Sequence, residues 1–145
     1  MIFGVIALKN TIYFPRFAFG GSIYCLLEFL WRGRSHVSMF LAGGAAFLVL
    51  CRIGRLRQPL WLRALLGAAA VTAIEFVTGL IVNRALGLAV WDYSALRFHL
   101  LGQISLLFSA IWIPISLAAF ALGALIDRVC LTESLRRGHR LRGGR

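Results

Sequence analysis

Residues 60–86 read LWLRALLGAAAVTAIEFVTGLIVNRAL, an apolar run broken by only three charges, Arg63, Glu75 and Arg84. A helix needs roughly 20 such residues to cross a ~30 Å hydrocarbon layer. At 1.5 Å per residue this one reaches about 40 Å, so it must tilt, kink or project. Gln58-Pro59 precedes it, and proline suits a first helical turn. This span, read as 59–86, decides the fold class, and three more apolar stretches lie around it.

The other spans are read as 11–31, 36–51 and 99–126. The second is short, about 22 Å of helix, and must thin the bilayer or sit shielded by neighbours. Its Gly43-Gly44-Ala45-Ala46 run allows close backbone approach. The fourth carries Pro114 near its middle, where a kink is expected. With 145 residues, 60% hydrophobic and a mean hydropathy of +0.83, the chain is one domain and too apolar for an ordinary soluble fold. The expectation is an all-α polytopic membrane protein. Four transmembrane helices in two hairpins fill residues 1–130, and a basic cytoplasmic tail follows at 131–145.

Charge orients the spans. The net charge of +11 does not point to nucleic acid, because the basic residues punctuate membrane-length segments. Twelve fall on one side: Lys9, Arg16, Arg52, Arg55, Arg57, Arg63 and the tail arginines Arg128, Arg136, Arg137, Arg140, Arg142 and Arg145. Four fall on the other: Arg32, Arg34, Arg84 and Arg97. Both termini and the turn at 52–63 are therefore expected in the cytoplasm. Trp31 and Trp91 then mark the outer interface and Trp61 the inner one, and Arg16 snorkels to the near interface. The tail is read as a topology determinant on anionic lipid, each basic residue contributing ~1 kcal/mol. The apolar run 1–8 precedes Lys9 and Arg16 and is not read as a cleavable signal. Cys25, Cys51 and Cys130 form no CxxC pair and read as unreactive buried thiols.

Glu75 is the first candidate for a site, since a charged carboxylate at this depth costs several kcal/mol unless paired, protonated or wetted. Helical spacing sets Thr72, Thr78 and Gly79 beside it and Asn83 two turns on. A stripe of Gly102, Ser105, Ser109, Ser116, Ala119 and Gly123, with Gln103 alongside, is read as the partner face on the fourth helix. Trp112 and Pro114 interrupt that stripe, where a local cavity is expected. Glu28 occupies a similar place on the first helix, and the resemblance of Leu27-Glu28-Phe29-Leu30 to Ile74-Glu75-Phe76-Val77 suggests a parallel repeat. Two readings of the acids stay open: nodes that fix helix packing, or a site for a cation, a proton or a polar substrate group.

The outer loop around Trp91, Asp92, Tyr93 and Ser94 reads as a compact turn in which Asp92 bonds Ser94. Trp91 and Tyr93 are placed at headgroup depth, and Asp92 is a partner for Arg97, Arg34 or Arg32. Glu28, His36, Asp92 and His99 all lie near the outer face, but their spacing follows no metal-ligand rule, so no metal and no cofactor are expected. The chain lacks G-x-x-x-x-G-K-[ST] and H-E-x-x-H, has Lys9 as its one lysine, and is not expected to be an enzyme.

Residues 74–83 (IEFVTGLIVN), 90–94 (VWDYS) and 100–106 (LLGQISL), together with Glu28, Trp31-Arg32-Gly33 and residues 35–40, resemble the CmpB-like family, labelled "putative ABC-transporter type IV". The resemblance spans about residues 12–126. It implies a bacterial inner-membrane protein of four or five helices, a permease-type component that needs a separate ATPase and forms oligomers with itself or another membrane subunit. The alternative is a non-transporting assembly or regulatory protein whose intramembrane stripe binds partner helices. Its partners are then the lipid bilayer and other membrane proteins, not nucleic acid.

Overall fold

In the computed structural model, which describes residues 13–142 and side chains through Cys130, four helices account for most of the chain. Helix α1 covers Tyr13–Arg32, α2 covers Val37–Ile53, and α3 covers Leu60–Gly79 and continues as a π-turn over Leu80–Ala85. Strands β1 (His99–Leu100) and β2 (Ile104–Ser105) form a small antiparallel hairpin, and α4 covers Leu106–Arg142. The apolar run 1–8, Lys9, Thr11 and Arg145 lie outside the described residues, as do the side chains of Arg136, Arg137, Arg140 and Arg142 in the tail.

The all-α class holds, and each helix falls on an expected span. Two of them, Leu60–Ala85 and Leu106–Cys130, are long and apolar enough to cross a membrane, and Val37–Ile53 is apolar but shorter. Only 33% and 22% of the long spans is buried inside the protein, so their apolar surface mostly faces outward. A core helix of a soluble protein would show the reverse. Contiguous exposed apolar surface of this kind marks contact with lipid or protein.

Helices α1 and α2 pack most closely. A Cβ on Gly20 would collide with Phe47, and one on Gly43 with Tyr24, so the glycines let the two backbones approach, as the small-residue run in α2 predicts. The core lies among α2, α3 and α4, where Phe47, Leu50, Val71 and Trp112 are buried together. Ser116, fully buried, donates to the Trp112 carbonyl oxygen at 2.7 Å, which satisfies its hydroxyl within α4 just past Pro114.

Three expectations need correction. The last helix begins at Leu106 and not at His99. Phe98, Leu101 and Gly102 take positive φ values of 54°, 53° and 70°, which no helix accommodates, and the chain turns there as a hairpin. Gly102, Gln103 and Ser105 therefore sit off the helix, and the small-residue face of α4 is confined to Ser116, Ala119 and Gly123, with Ser109 turned elsewhere. Second, Arg16 does not snorkel. It is 3% exposed and forms an ion pair with Asp127, joining the start of α1 to α4. Arg55 in the turn after α2 adds to the same carboxylate, Nη2 lying 2.5 Å from Oδ2. Third, Trp91 is not at the surface. It is 4% exposed and packs on Met39 and Ala42 of α2.

Candidate functional site

Glu75 lies four turns into α3, where the apolar face turns to α2 and α4, and only 4% of it is exposed. Its carboxylate has two donors from distant parts of the chain. Tyr93 of the outer loop donates its hydroxyl to Oε1 at 3.0 Å. Trp112 of α4 donates its indole N–H to Oε2 at 3.1 Å. Both donors are neutral, and among the described residues no ion pair reaches this carboxylate. Burying an acid this way is tolerable because both oxygens are hydrogen-bonded, and each retains a lone pair for a proton, a cation or a polar group.

Aromatic rings surround the two donors. Tyr24 of α1 stacks on Trp112 at 5.7 Å between centroids, and Tyr93 stacks on Phe108 at 4.6 Å. Trp31 meets Phe108 edge-on at 6.3 Å. Rings in these offset and edge geometries add about 0.5–1.5 kcal/mol each beyond the area they bury. They fix both hydrogen-bond donors in place.

Two turns above the acid, an amide cluster pins the loop to α3. Asn83, in the π-turn, donates from Nδ2 to the Trp91 carbonyl oxygen at 3.0 Å and to Gln103 Oε1 at 2.7 Å. Its own Oδ1 accepts the Val90 N–H at 2.7 Å. Gln103 Nε2 donates to the Leu101 carbonyl oxygen, and the Trp91 indole donates to that of Gln103, both at 3.0 Å. The approach is close enough to need Gly79, where a Cβ would stand 2.5 Å from Gln103 Oε1. Satisfied buried amides of this kind rigidify a site.

The loop carries its own turn. Ser94 donates its backbone N–H to Asp92 Oδ1 and its hydroxyl to Oδ2, both at 2.8 Å, the Asx arrangement expected from the sequence. These bonds, the backbone one foremost, hold the Asp92 carboxyl below the usual aspartate range. Among the described residues Asp92 has no ion pair with Arg97, Arg34 or Arg32, its expected partners. Arg32 is engaged elsewhere, in an ion pair with Glu28 one turn back and in a bond to the Val90 carbonyl oxygen at 3.0 Å.

The predicted site residues thus divide. Glu75, Asn83, Gln103, Trp91 and Tyr93 come together. Glu28 stands apart with Arg32 and accepts from Ser35 at 2.7 Å, so the two glutamates have unlike surroundings. Thr72 and Ser109 line a separate crevice of about 490 Å³ between α3 and α4, and the Thr72 hydroxyl oxygen is buried there without a hydrogen-bond partner. Thr78 is half-buried and is not among the partners of Glu75. The outer histidines and acids do not converge: the His36 ring caps α2 by accepting from the Ser38 N–H, and His99 accepts from the Gly102 N–H. Trp112 and Tyr24 were missed as site residues. The signal was an indole inside an apolar span, since its N–H needs a buried acceptor.

The class is an all-α chain with two helices long and apolar enough to cross a membrane, their apolar surface turned outward around a satisfied internal carboxylate. The chain belongs to the family described as "Putative ABC-transporter type IV", whose model matches residues 12–130. No curated protein and no solved structure matches the chain.

Proposed function

We propose that the chain is a multi-pass protein of the bacterial inner membrane and a permease-type component of a transporter driven by a separate ATPase. It has no enzymatic activity of its own. All four helices cross the bilayer, with both termini and the Arg55 turn on the cytoplasmic side. The arginine distribution supports this orientation, as does the exposure of Trp31 at one end of α1 and Trp61 at the start of α3, 76% and 65%.

The observation that carries the reading is Glu75: an acid kept deep in an apolar helix, held by two neutral donors and not neutralised by a salt bridge. Intramembrane acids of this kind mark ion, proton or substrate pathways. Cross-linking in membranes followed by co-purification tests it. Capture of a nucleotide-binding subunit, together with a Glu75→Gln variant that assembles normally but no longer stimulates ATP hydrolysis, supports the permease. Loss of assembly in Glu75→Gln, or capture of membrane partners without any nucleotide-binding subunit, overturns it.

A second reading, an assembly or regulatory protein, is supported by the Thr72–Ser109 crevice, whose buried unpaired hydroxyl is suited to a helix of a second copy or another subunit.

A further inference from the structure

Helices α1 and α4 flank a groove instead of a packed seam. Toward the Arg55 turn it is a chamber of about 270 Å³ between Ile23 of α1 and Ala118 of α4. Toward the outer loop it is a chamber of about 250 Å³ that ends at Glu28 and Arg32. Tyr24, Leu27, Trp112 and Ile115 line both, so the two chambers lie end to end along one groove, with the Tyr24–Trp112 stack at the floor between them. From Phe108 to Leu122 it extends about 21 Å along α4. The Arg16–Asp127 ion pair ties α1 to α4 beyond its inner end.

We infer that this groove holds one acyl chain of a bilayer phospholipid, with the phosphate at the Arg32 end. The inference rests on the membrane placement proposed above. The lining argues for an amphiphile with a long apolar part: apolar and aromatic side chains run the length of both chambers, and the one ion pair stands at a single end. An apolar cavity of only about 150 Å³ already takes benzene, so these chambers suit a polymethylene chain. Chemistry argues for the orientation. The inner chamber is walled by apolar side chains and offers water no partners, whereas the outer one ends in the Glu28–Arg32 pair. Arg32, though paired with Glu28 and bonded to the Val90 carbonyl oxygen, keeps 23% of its side chain exposed there, and its five N–H donors leave some over for a phosphate oxygen. The ion pair beyond the inner end limits how far the chain tip can extend.

Because Trp112 both lines the groove and holds Glu75, the bound chain packs directly on a ligand of the buried acid.

The test uses the full chain in phosphatidylethanolamine vesicles doped with a phospholipid bearing a diazirine near its chain end. Photolysis is expected to label peptides containing Ile23 and Ala118. Ala118→Phe, which fills the inner chamber from an exposed position, is expected to cut labelling about fivefold or more, equivalent to roughly 1 kcal/mol. Ala121→Phe, exposed on the same helix but outside the groove, leaves labelling unchanged. If Ala118→Phe fails to give a monodisperse protein, Ile23→Trp takes its place with the same expectation. Equal labelling in wild type and groove variants overturns the proposal. So does an unlabelled wild type whose dimer is broken by Ala118→Phe, which would assign the groove to a second copy. Accessibility of a C-terminal tag in intact cells reports the membrane placement separately, so its failure is told apart from failure of the groove.

Discussion

The Trp112 indole N–H donates to Glu75 Oε2 at 3.1 Å, across 37 residues of chain. This bond joins α3 to α4, and the Tyr93 hydroxyl on Oε1 joins the outer loop to the same carboxylate. Three separate elements therefore depend on one side chain.

Truncating that side chain leaves both donors without an acceptor. Glu75→Ala is expected to cost about 1–3 kcal/mol per abandoned group. Glu75→Gln keeps its oxygen for Trp112 and can donate to Tyr93, whose hydroxyl also accepts, so the loss should stay near 1 kcal/mol. Thermal unfolding in detergent ranks the two. Equal destabilisation would show that the bonds do not hold the site.

The Arg16–Asp127 pair is buried on one side and wet on the other. Asp127→Asn leaves the Arg16 guanidinium, 3% exposed, without its counter-charge and should cost about 3–5 kcal/mol. Arg55→Gln removes a half-exposed partner from the same carboxylate and should cost about 1 kcal/mol or less. Unfolding midpoints of the two variants check the contrast, and similar values would refute it.

Gly20→Ala places a methyl against Phe47 at the α1–α2 contact, and Gly43→Ala does the same against Tyr24. Each should destabilise by about 1–3 kcal/mol, because backbone separation sets the spacing and neither helix can shift alone. Gly33→Ala, where a Cβ meets open space but φ is +69°, separates backbone strain from crowding and should cost less. Differential scanning of the three variants gives the order.

The outer loop should respond to acid through Asp92. Its folded carboxyl titrates below the ordinary value of 3.8 because the ionised form accepts both Ser94 bonds. A depressed folded value contributes stability that is complete above the unfolded pKa and is lost as pH falls through the folded one. Loop order should thus stay constant from neutral pH to about pH 5 and fall only near and below pH 4. Proteolysis between α3 and β1 follows this, and Asp92→Asn should flatten the low-pH step. Loss of order at pH 6 would point to another group.

Helix number and class were legible because apolar runs of membrane length leave few alternatives. Glu75, Asn83 and Gln103 were legible too, since polar groups in such runs must find partners. The start of α4 was not: Phe98, Leu100, Leu101 and Ile104 continue the apolar run, and only Gly102 signalled the left-handed turn that stops it. Trp112, Tyr24 and the Arg16–Asp127 pair were hidden for a different reason. Their contacts link helices far apart in sequence, and helical spacing describes neighbours on one helix alone.

Helix α4 runs unbroken for 37 residues, about 55 Å of rod at 1.5 Å per residue. A hydrocarbon slab of ~30 Å covers little more than half of that length. In the membrane placement proposed above, the remainder acts as a lever arm, so a tilt of a few degrees at the Trp112 fulcrum would swing its far tip by several ångströms.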